Sequence, residues 1–351
     1  MIGLLVFIAL YALGRWRGWG RRWLYAAGFW WLLLMVSHLP MQVENPLARL
    51  AGGTFEAWLV FGILAALVLA YRAALSRLRG AKAAEPAPAA PAGAFRPAEL
   101  DRYARHILLR EIGGPGQRRL KDAKVLVVGA GGLGSPALMY LAAAGVGTIG
   151  VIDDDMVEGS NLQRQIIHAD GRIGMPKVFS AEVAMKAINP FIEVRPYRRR
   201  LDDAIARDLI AEYDLILDGT DNFDTRYLVN RHCADLGKPL IAGAITQWEG
   251  QLSLWHPAAG GPCYACVFPT RPAPGLAPTC AEAGVAAPLP GVIGSMMAME
   301  AVKHLTGAGE TLAGRLMIHD ALYAETRVIS VKRRGDCAAC GAAAPAAASA
   351  P

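Results

Sequence analysis

Acidic residues are scarce at the start of this chain. The first 97 positions carry three Asp/Glu against ten Lys/Arg, while the remainder is balanced at 27 to 26, so the net charge of +6 belongs to the N-terminal segment. A basic stripe for nucleic acid is thereby excluded from the larger part of the protein, and no nucleic-acid partner is expected. Charge of either sign is missing from residues 23–39, and Glu56 is the only charged residue in 55–71. At 1.5 Å per residue each run reaches roughly 25 Å, the short end of what crosses a bilayer. Both read as transmembrane helices.

Positive charge is also missing ahead of the apolar run 2–13 and follows it instead, at Arg15, Arg17, Arg21 and Arg22, which excludes an ordinary cleaved signal peptide. That run reads either as a third span with its N-terminus outside or as an interfacial helix. Trp23, Trp30, Trp31 and Trp58 supply aromatics for the membrane interfaces, and His38 sits at a helix end, where a polar group costs little. The loop between the two stronger runs has Arg49 against Glu44 and Glu56, whereas Arg72, Arg77, Arg79 and Lys82 follow the last. The positive-inside rule then places both basic clusters in the cytoplasm. Residues 1–82 are expected to form a multi-pass segment of the inner (cytoplasmic) membrane, with everything after it facing the cytoplasm. Residues 83–97, rich in Ala and Pro, read as a semi-rigid tether, and 342–351 as a disordered tail.

The domain at 98–341 is organised around residues 124–165. A β-branched run, Val125-Leu126-Val127-Val128, leads directly into Gly129, Gly131, Gly132 and Gly134. Gly129 permits a tight turn, Gly131 lets the backbone approach a phosphate, and Gly134 lets the next helix lie close to the strand. A second strand ends in Asp153-Asp154-Asp155, about 20 residues on, where Asp153 suits ribose hydroxyls. Dinucleotide enzymes share that much. Asn161, Arg164, Lys177 and Asp221 are better explained by a triphosphate with magnesium, through two cations and a carboxylate for a divalent ion.

Strand and helix patterns continue to alternate: helix at 181–188, strand at 192–197, helix at 202–212, strand at 214–218, and further strands near 239–244 and 250–256. An α/β class follows, with a Rossmann-like doubly wound sheet. Asp221 falls at the carboxyl end of a strand, where open α/β sheets bind ligands; its competing role is to cap the helix starting near Thr225. Upstream, a helix from Leu100 ends in the turn Gly113-Gly114-Pro115-Gly116-Gln117, and His106 on that helix reads as packed or solvated. Cys263, Cys266, Cys337 and Cys340 form two C-x-x-C pairs beside chain turns, the pattern of a closed structural zinc site without catalytic work; the rival is a redox C-x-x-C, which predicts one pair opening a helix. Cys233 reads as buried and inert. Cys280 lies in a Pro/Gly/Ala-dense loop at 269–290, and long loops in compact domains are functional or disordered.

Residues 102–341 resemble the MoeB/ThiF/HesA adenylyltransferases, bacterial relatives of ubiquitin-activating enzymes. The likeness is carried by Arg102-Tyr103-Ala104-Arg105, the glycine loop, Asp153-Asp154-Asp155, Ser160 to Gln165, Pro176-Lys177, Thr220-Asp221-Asn222, Thr279-Cys280-Ala281-Glu282-Ala283-Gly284, Pro290-Gly291-Val292-Ile293-Gly294 and both cysteine pairs. Residues 1–97 lie outside it. It implies ATP-dependent adenylylation of the C-terminal glycine of a ubiquitin-like sulfur-carrier protein, with release of pyrophosphate. ATP, Mg2+ and Zn2+ are the implied cofactors. Gly129, Gly131, Gly132, Gly134, Asp153, Asp155, Asn161, Arg164, Gln165, Lys177, Asp221 and Asn222 would bind nucleotide, Arg164 and Lys177 neutralising phosphate and Asp221 holding magnesium. Arg105 would reach the partner subunit's triphosphate in a homodimer. For Cys280 the family offers two readings, a covalent link to the carrier and a dispensable thiol. With no rhodanese-like extension after the cysteines, a separate protein is expected as sulfur donor. Two rival classes stand beside this one: a nicotinamide or flavin oxidoreductase, and a tRNA-modifying dehydratase that adenylates a small carboxylate.

Overall fold

The computed structural model describes residues 2–16, 23–39, 46–82, 95–272 and 283–341. Most of the expected linker (83–94), the loop segment 273–282 with Cys280, and the expected tail (342–351) lie outside the described residues. The chain divides into two units, Met1–Ala90 and Pro91–Pro351.

The first unit holds α1 (Ile2–Trp16), α2 (Trp23–Ser37), α3 (Pro46–Ala51) and α4 (Phe55–Lys82). Among the described residues, α4 is the one helix long and apolar enough to cross a bilayer, over Phe55–Leu75; Ile2–Gly14 and Trp23–Ser37 are apolar but shorter. The expected span at 23–39 stops at Ser37, and 15 residues reach about 22 Å. Helix α4 runs past the expected end at 71 and takes up Arg72 and Lys82. Leu34, Ala51 and Trp58 are buried where the helices meet. The indoles are used there: Trp30 Nε1 donates to Gly3 O, Trp31 Nε1 to Trp58 O and Trp58 Nε1 to Gly52 O, at 3.2, 2.9 and 2.9 Å. Leu5, Ile8, Phe29, Leu64 and Leu67 leave the outer faces apolar.

The second unit is built on a sheet whose described strands are β1 (Lys124–Val128), β2 (Thr148–Ile152), β3 (Glu193–Tyr197), β4 (Leu215–Asp218), β5 (Leu240–Ile245), β6 (Glu249–Trp255), β7 (Arg315–Asp320) and β8 (Glu325–Ser330). Their order is β3-β2-β1-β4-β5-β6-β7-β8. The first five are parallel and the last three antiparallel. Parallel strands covered on both faces read as unbroken apolar runs, which is why Val125 to Val128 are all buried. On one face α7 (Gly134–Ala144), α8 (Lys177–Ile188) and α11 (Pro288–Thr306) contribute Leu138, Met185 and Met297 to the core. The other face takes Ile210 from α9 (Asp203–Ala211), Val229 from α10 (Phe223–Asp235) and Trp255. Chain order reverses between β1 and β4, creating a crevice at their carboxyl ends.

Two further helices, α5 (Pro97–Ile107) and α6 (Gly113–Asp122), precede β1. The expected turn at 113–117 is the opening of α6. Gly113 takes a left-handed φ of 58°, and Pro115 falls in the first helical turn, where a missing N–H leaves nothing unpaired. Helix α8 begins four residues earlier than expected, at Lys177, because Pro176 is its N-cap. That start puts a lysine at the positive end of a helix dipole, an unfavourable place without a counter-charge.

Candidate nucleotide site and cysteine knuckle

A cavity of about 750 Å³ opens over this crevice, lined by Gly129, Gly131, Gly132, Asp153, Arg164 and Lys177, with Thr220 and Asp221 from beyond β4. Its floor is the glycine turn. Gly129 has φ +94°, and a Cβ on Gly134 would lie 1.9 Å from Gly129 O, so only glycine lets α7 approach β1 this closely. Ala130 is gripped from two sides. Its N–H donates to Asp153 Oδ2 at 2.8 Å, and its carbonyl lies 3.0 Å from His168 Nε2. The other ring nitrogen of His168 meets Ser180 Oγ at 2.9 Å. Burial pulls the His168 pKa down to about 4, so the ring is neutral, donating from Nε2 and accepting the Ser180 hydroxyl at Nδ1. Nothing in the sequence marked His168; a lone histidine in Ile-Ile-His-Ala looks like a packed residue.

Asp153, assigned to ribose from sequence, uses its carboxylate on the loop: Oδ1 also accepts from the Asp155 N–H at 2.9 Å. Burial raises its pKa above the usual carboxylate range, and the nearby Lys177 charge opposes this. Lys177, 4% exposed, is the counter-charged lysine at the head of α8, its Nζ 2.7 Å from Asp155 Oδ2. Arg164 lines the cavity and donates to Asn161 Oδ1 at 3.0 Å; Asn161 thus orients the guanidinium and is absent from the cavity wall. Gln165 is buried against the loop, its Oε1 without a hydrogen-bond partner among the described residues.

Asp221 is exposed on the cavity wall. The competing role for it is overturned, because Asn222 caps α10 by accepting from Thr225 N at 2.8 Å. Behind that turn sits a pair the sequence did not disclose. Asp218, fully buried at the end of β4, accepts from Thr220 N at 2.9 Å and lies 3.5 Å from Arg226 Nε. Arg226 also donates to Thr220 O and Gly243 O, each at 2.8 Å. Of the other expected residues, Arg105 is exposed on α5 and absent from the cavity wall, and Cys280 lies outside the described residues.

The four expected cysteines meet beside the other end of α10. Their sulfurs all lie within 4.8 Å of one another, and all four residues are buried. Separations of 3.9 Å (Cys263–Cys266), 3.6 Å (Cys263–Cys337) and 3.5 Å (Cys266–Cys340) are too long for disulfides. They match the ~3.8 Å edge of a tetrahedron with ~2.3 Å zinc–sulfur bonds. Asn230 Nδ2 and Arg334 N donate toward Cys263 and Cys266 sulfurs at 3.7 and 3.4 Å, as partners of thiolates do. The donor set fits zinc and leaves no ligand position for chemistry. Cys233 is buried on α10, as expected, and burial pushes its thiol pKa up, away from the reactive thiolate.

Fold and site define an α/β protein of Rossmann-like form, with a glycine turn opening on a switch-point cavity and a closed four-cysteine knuckle. The ThiF family model matches residues 103–339, and the chain belongs to the ThiF family. The chain is similar to the sulfur carrier protein adenylyltransferase of Thermus thermophilus, at 50% identity over 247 residues, covering 69% of this chain and 91% of that protein. The SAMP-activating enzyme of Haloferax volcanii is 47% identical over 243 residues, with 69% and 89% covered. The probable adenylyltransferase/sulfurtransferase MoeZ of Mycobacterium tuberculosis is 50% identical over 246 residues, 69% of this chain but 63% of its own length. Among solved structures, Escherichia coli MccB superposes with a TM-score of 0.61 over 69% of this chain and 72% of that one, at 23% identity, a likeness of fold.

Proposed function

We propose that the second unit uses ATP to adenylylate the C-terminal glycine carboxylate of a ubiquitin-like sulfur-carrier protein, releasing pyrophosphate. One observation carries the reading: Arg164, Lys177 and Asp221, far apart in sequence, share one cavity above the glycine turn. The naming of the Thermus relative as a sulfur carrier protein adenylyltransferase supports the substrate class. A terminal carboxylate, pKa near 3.5, is already ionised at neutral pH, so no general base is required. One of its oxygens attacks the α-phosphorus of ATP, forming the acyl–phosphate bond as the bond to the pyrophosphate oxygen breaks. Catalysis then rests on alignment and charge. Phosphates would be met by the α7 N-terminus and by loop N–H groups other than those of Gly129 and Ala130, which donate to Ile152 O and Asp153 Oδ2. Arg164, held by Asn161, meets the polyphosphate, and Lys177 exchanges Asp155 for phosphate oxygen. Asp221 would hold magnesium, which supplies charge neutralisation on the departing pyrophosphate. Zinc in the cysteine knuckle would fasten the C-terminal segment to the sheet.

Exposure of Arg105 on α5, away from the cavity of its own chain, supports a homodimeric active unit in which it would reach a second copy's site. Exposed Tyr323, Val328 and Ile329 around β8 offer the carrier an apolar landing. The apolar outer faces of the first unit and the Phe55–Leu75 helix support anchoring of residues 1–82 in the cytoplasmic membrane, near a membrane-associated sulfur donor or acceptor. Unchanged location-dependent activity after deletion of 1–82 would remove that idea.

The test is carrier-dependent ATP–pyrophosphate exchange with candidate carriers ending in Gly-Gly. Exchange is expected for the native chain and is lost in Asp221→Ala, whose zinc content stays intact. Absence of exchange with every carrier, together with tight NAD binding, would refute the reading.

A further inference from the structure

Helix α10 touches the nucleotide cavity at one end and the cysteine knuckle at the other. Asn222, Arg226 and Asn230 recur every four residues and therefore share one face. Asn222 caps the helix beside the Thr220–Asp221 turn. Arg226 grips that turn through Thr220 O and reaches β5 through Gly243 O. Asn230 spends both ends of its amide on the knuckle: Oδ1 accepts from Tyr264 N at 2.7 Å, and Nδ2 points to Cys263 Sγ at 3.7 Å.

Tyr264 closes the circuit. It stands next to Cys263, lines the nucleotide cavity, and presents its ring 5.7 Å from the Arg226 guanidinium. Arg226 is 6% exposed and Asn230 2%, so these links run through buried material, where solvent cannot substitute for a lost partner. Buried amides and guanidinium groups tolerate few arrangements. Displacing Cys263 must move Tyr264 N, and Asn230 or the Arg226 cation must follow.

We propose that Asn230 is a positioning residue that couples the four-cysteine knuckle to the nucleotide site. The knuckle sets Tyr264 and α10, and these set the Thr220–Asp221 turn. Coupling between binding sites is reciprocal, so nucleotide in the cavity must in turn tighten the hold of the knuckle on its metal. The proposal rests on the ATP and zinc readings above and goes beyond them, since neither assigns the knuckle any influence on nucleotide.

The experiment measures the equilibrium partition of zinc between the full-length, zinc-loaded chain and a chromogenic chelator, with and without magnesium and α,β-methylene-ATP. Calorimetry first establishes analogue binding, and metal analysis establishes the zinc content. In the native chain the analogue is expected to raise zinc affinity at least ~5-fold. In Asn230→Leu, which removes both amide contacts, the gain in zinc affinity should fall to less than ~2-fold. Asn230→Asp keeps the acceptor for Tyr264 N but not the donor to Cys263, and should lie between. Should Asn230→Leu fail to fold, the native chain and Asn230→Asp still decide the matter. Equal protection in the native chain and either folded variant overturns the coupling. So does bound analogue that leaves native zinc affinity unchanged. A chain that holds no zinc or binds no analogue overturns the underlying reading and the coupling with it.

Discussion

Arg226 Nε lies 3.5 Å from Asp218 Oδ2, and neither atom has a hydrogen-bond partner among the described residues although both are buried. At that separation the attraction is Coulombic, and each charge is what makes the other tolerable away from water. Arg226→Ala would strand the Asp218 carboxylate, which among the described residues accepts only from Thr220, at its other oxygen. The expected loss of stability is about 3–5 kcal/mol in denaturant unfolding of the full chain. Replacing both residues by apolar ones should cost less than the single change.

His168 carries a pH prediction. Its folded value of about 4 lies below the ordinary 6.5, so folding favours the neutral ring. The stability it contributes is complete above about pH 6.5 and is lost as pH falls through about 4, a decline on the order of 3 kcal/mol. His168→Gln, which can still donate to Ala130 O, should flatten that part of the stability–pH curve while nucleotide binding at pH 7.5 changes little.

Two glycines of one loop should fail differently. A Cβ on Gly134 would stand 1.9 Å from Gly129 O, a backbone atom that cannot yield. Gly134→Ala is expected to unfold the loop region, read as a loss of both thermal stability and ATP-analogue binding. At Gly131 the nearest neighbour is Gln165 Nε2 at 3.7 Å, an ordinary contact. Gly131→Ala should keep the melting temperature within about 2 °C and weaken analogue binding at least ~10-fold, because the new methyl stands where phosphate approaches.

Cys280 gives a prediction from chemistry alone. Acyl-adenylate formation joins a carboxylate to phosphorus and uses no thiol. Carrier-dependent exchange should therefore survive Cys280→Ala to within about 2-fold, and any covalent role of Cys280 would emerge only in sulfur transfer to the carrier. Loss of exchange in this variant, with zinc content unchanged, would show that the loop itself shapes the adenylylation site.

The chain itself spelled out whatever depends on neighbours in sequence. A glycine turn after a β-branched strand, two C-x-x-C pairs and a carboxylate after a strand end are local patterns, and the fold places the first two as expected and Asp221 on the cavity wall. Local too was the error at 113–117: glycine and proline read as a turn, and only packing against the rest of the unit shows that the same residues begin a helix. Tertiary structure alone decided which side chains hold one another. Asn222 and not Asp221 caps α10, Asp153 and His168 close on Ala130 from opposite sides, and Asp218 pairs with Arg226. The partners of Ala130 stand 23 and 38 residues away along the chain. Spacing in sequence constrains the backbone only over a turn or two, whereas burial forces distant polar groups to find each other wherever the sheet and its helices bring them together.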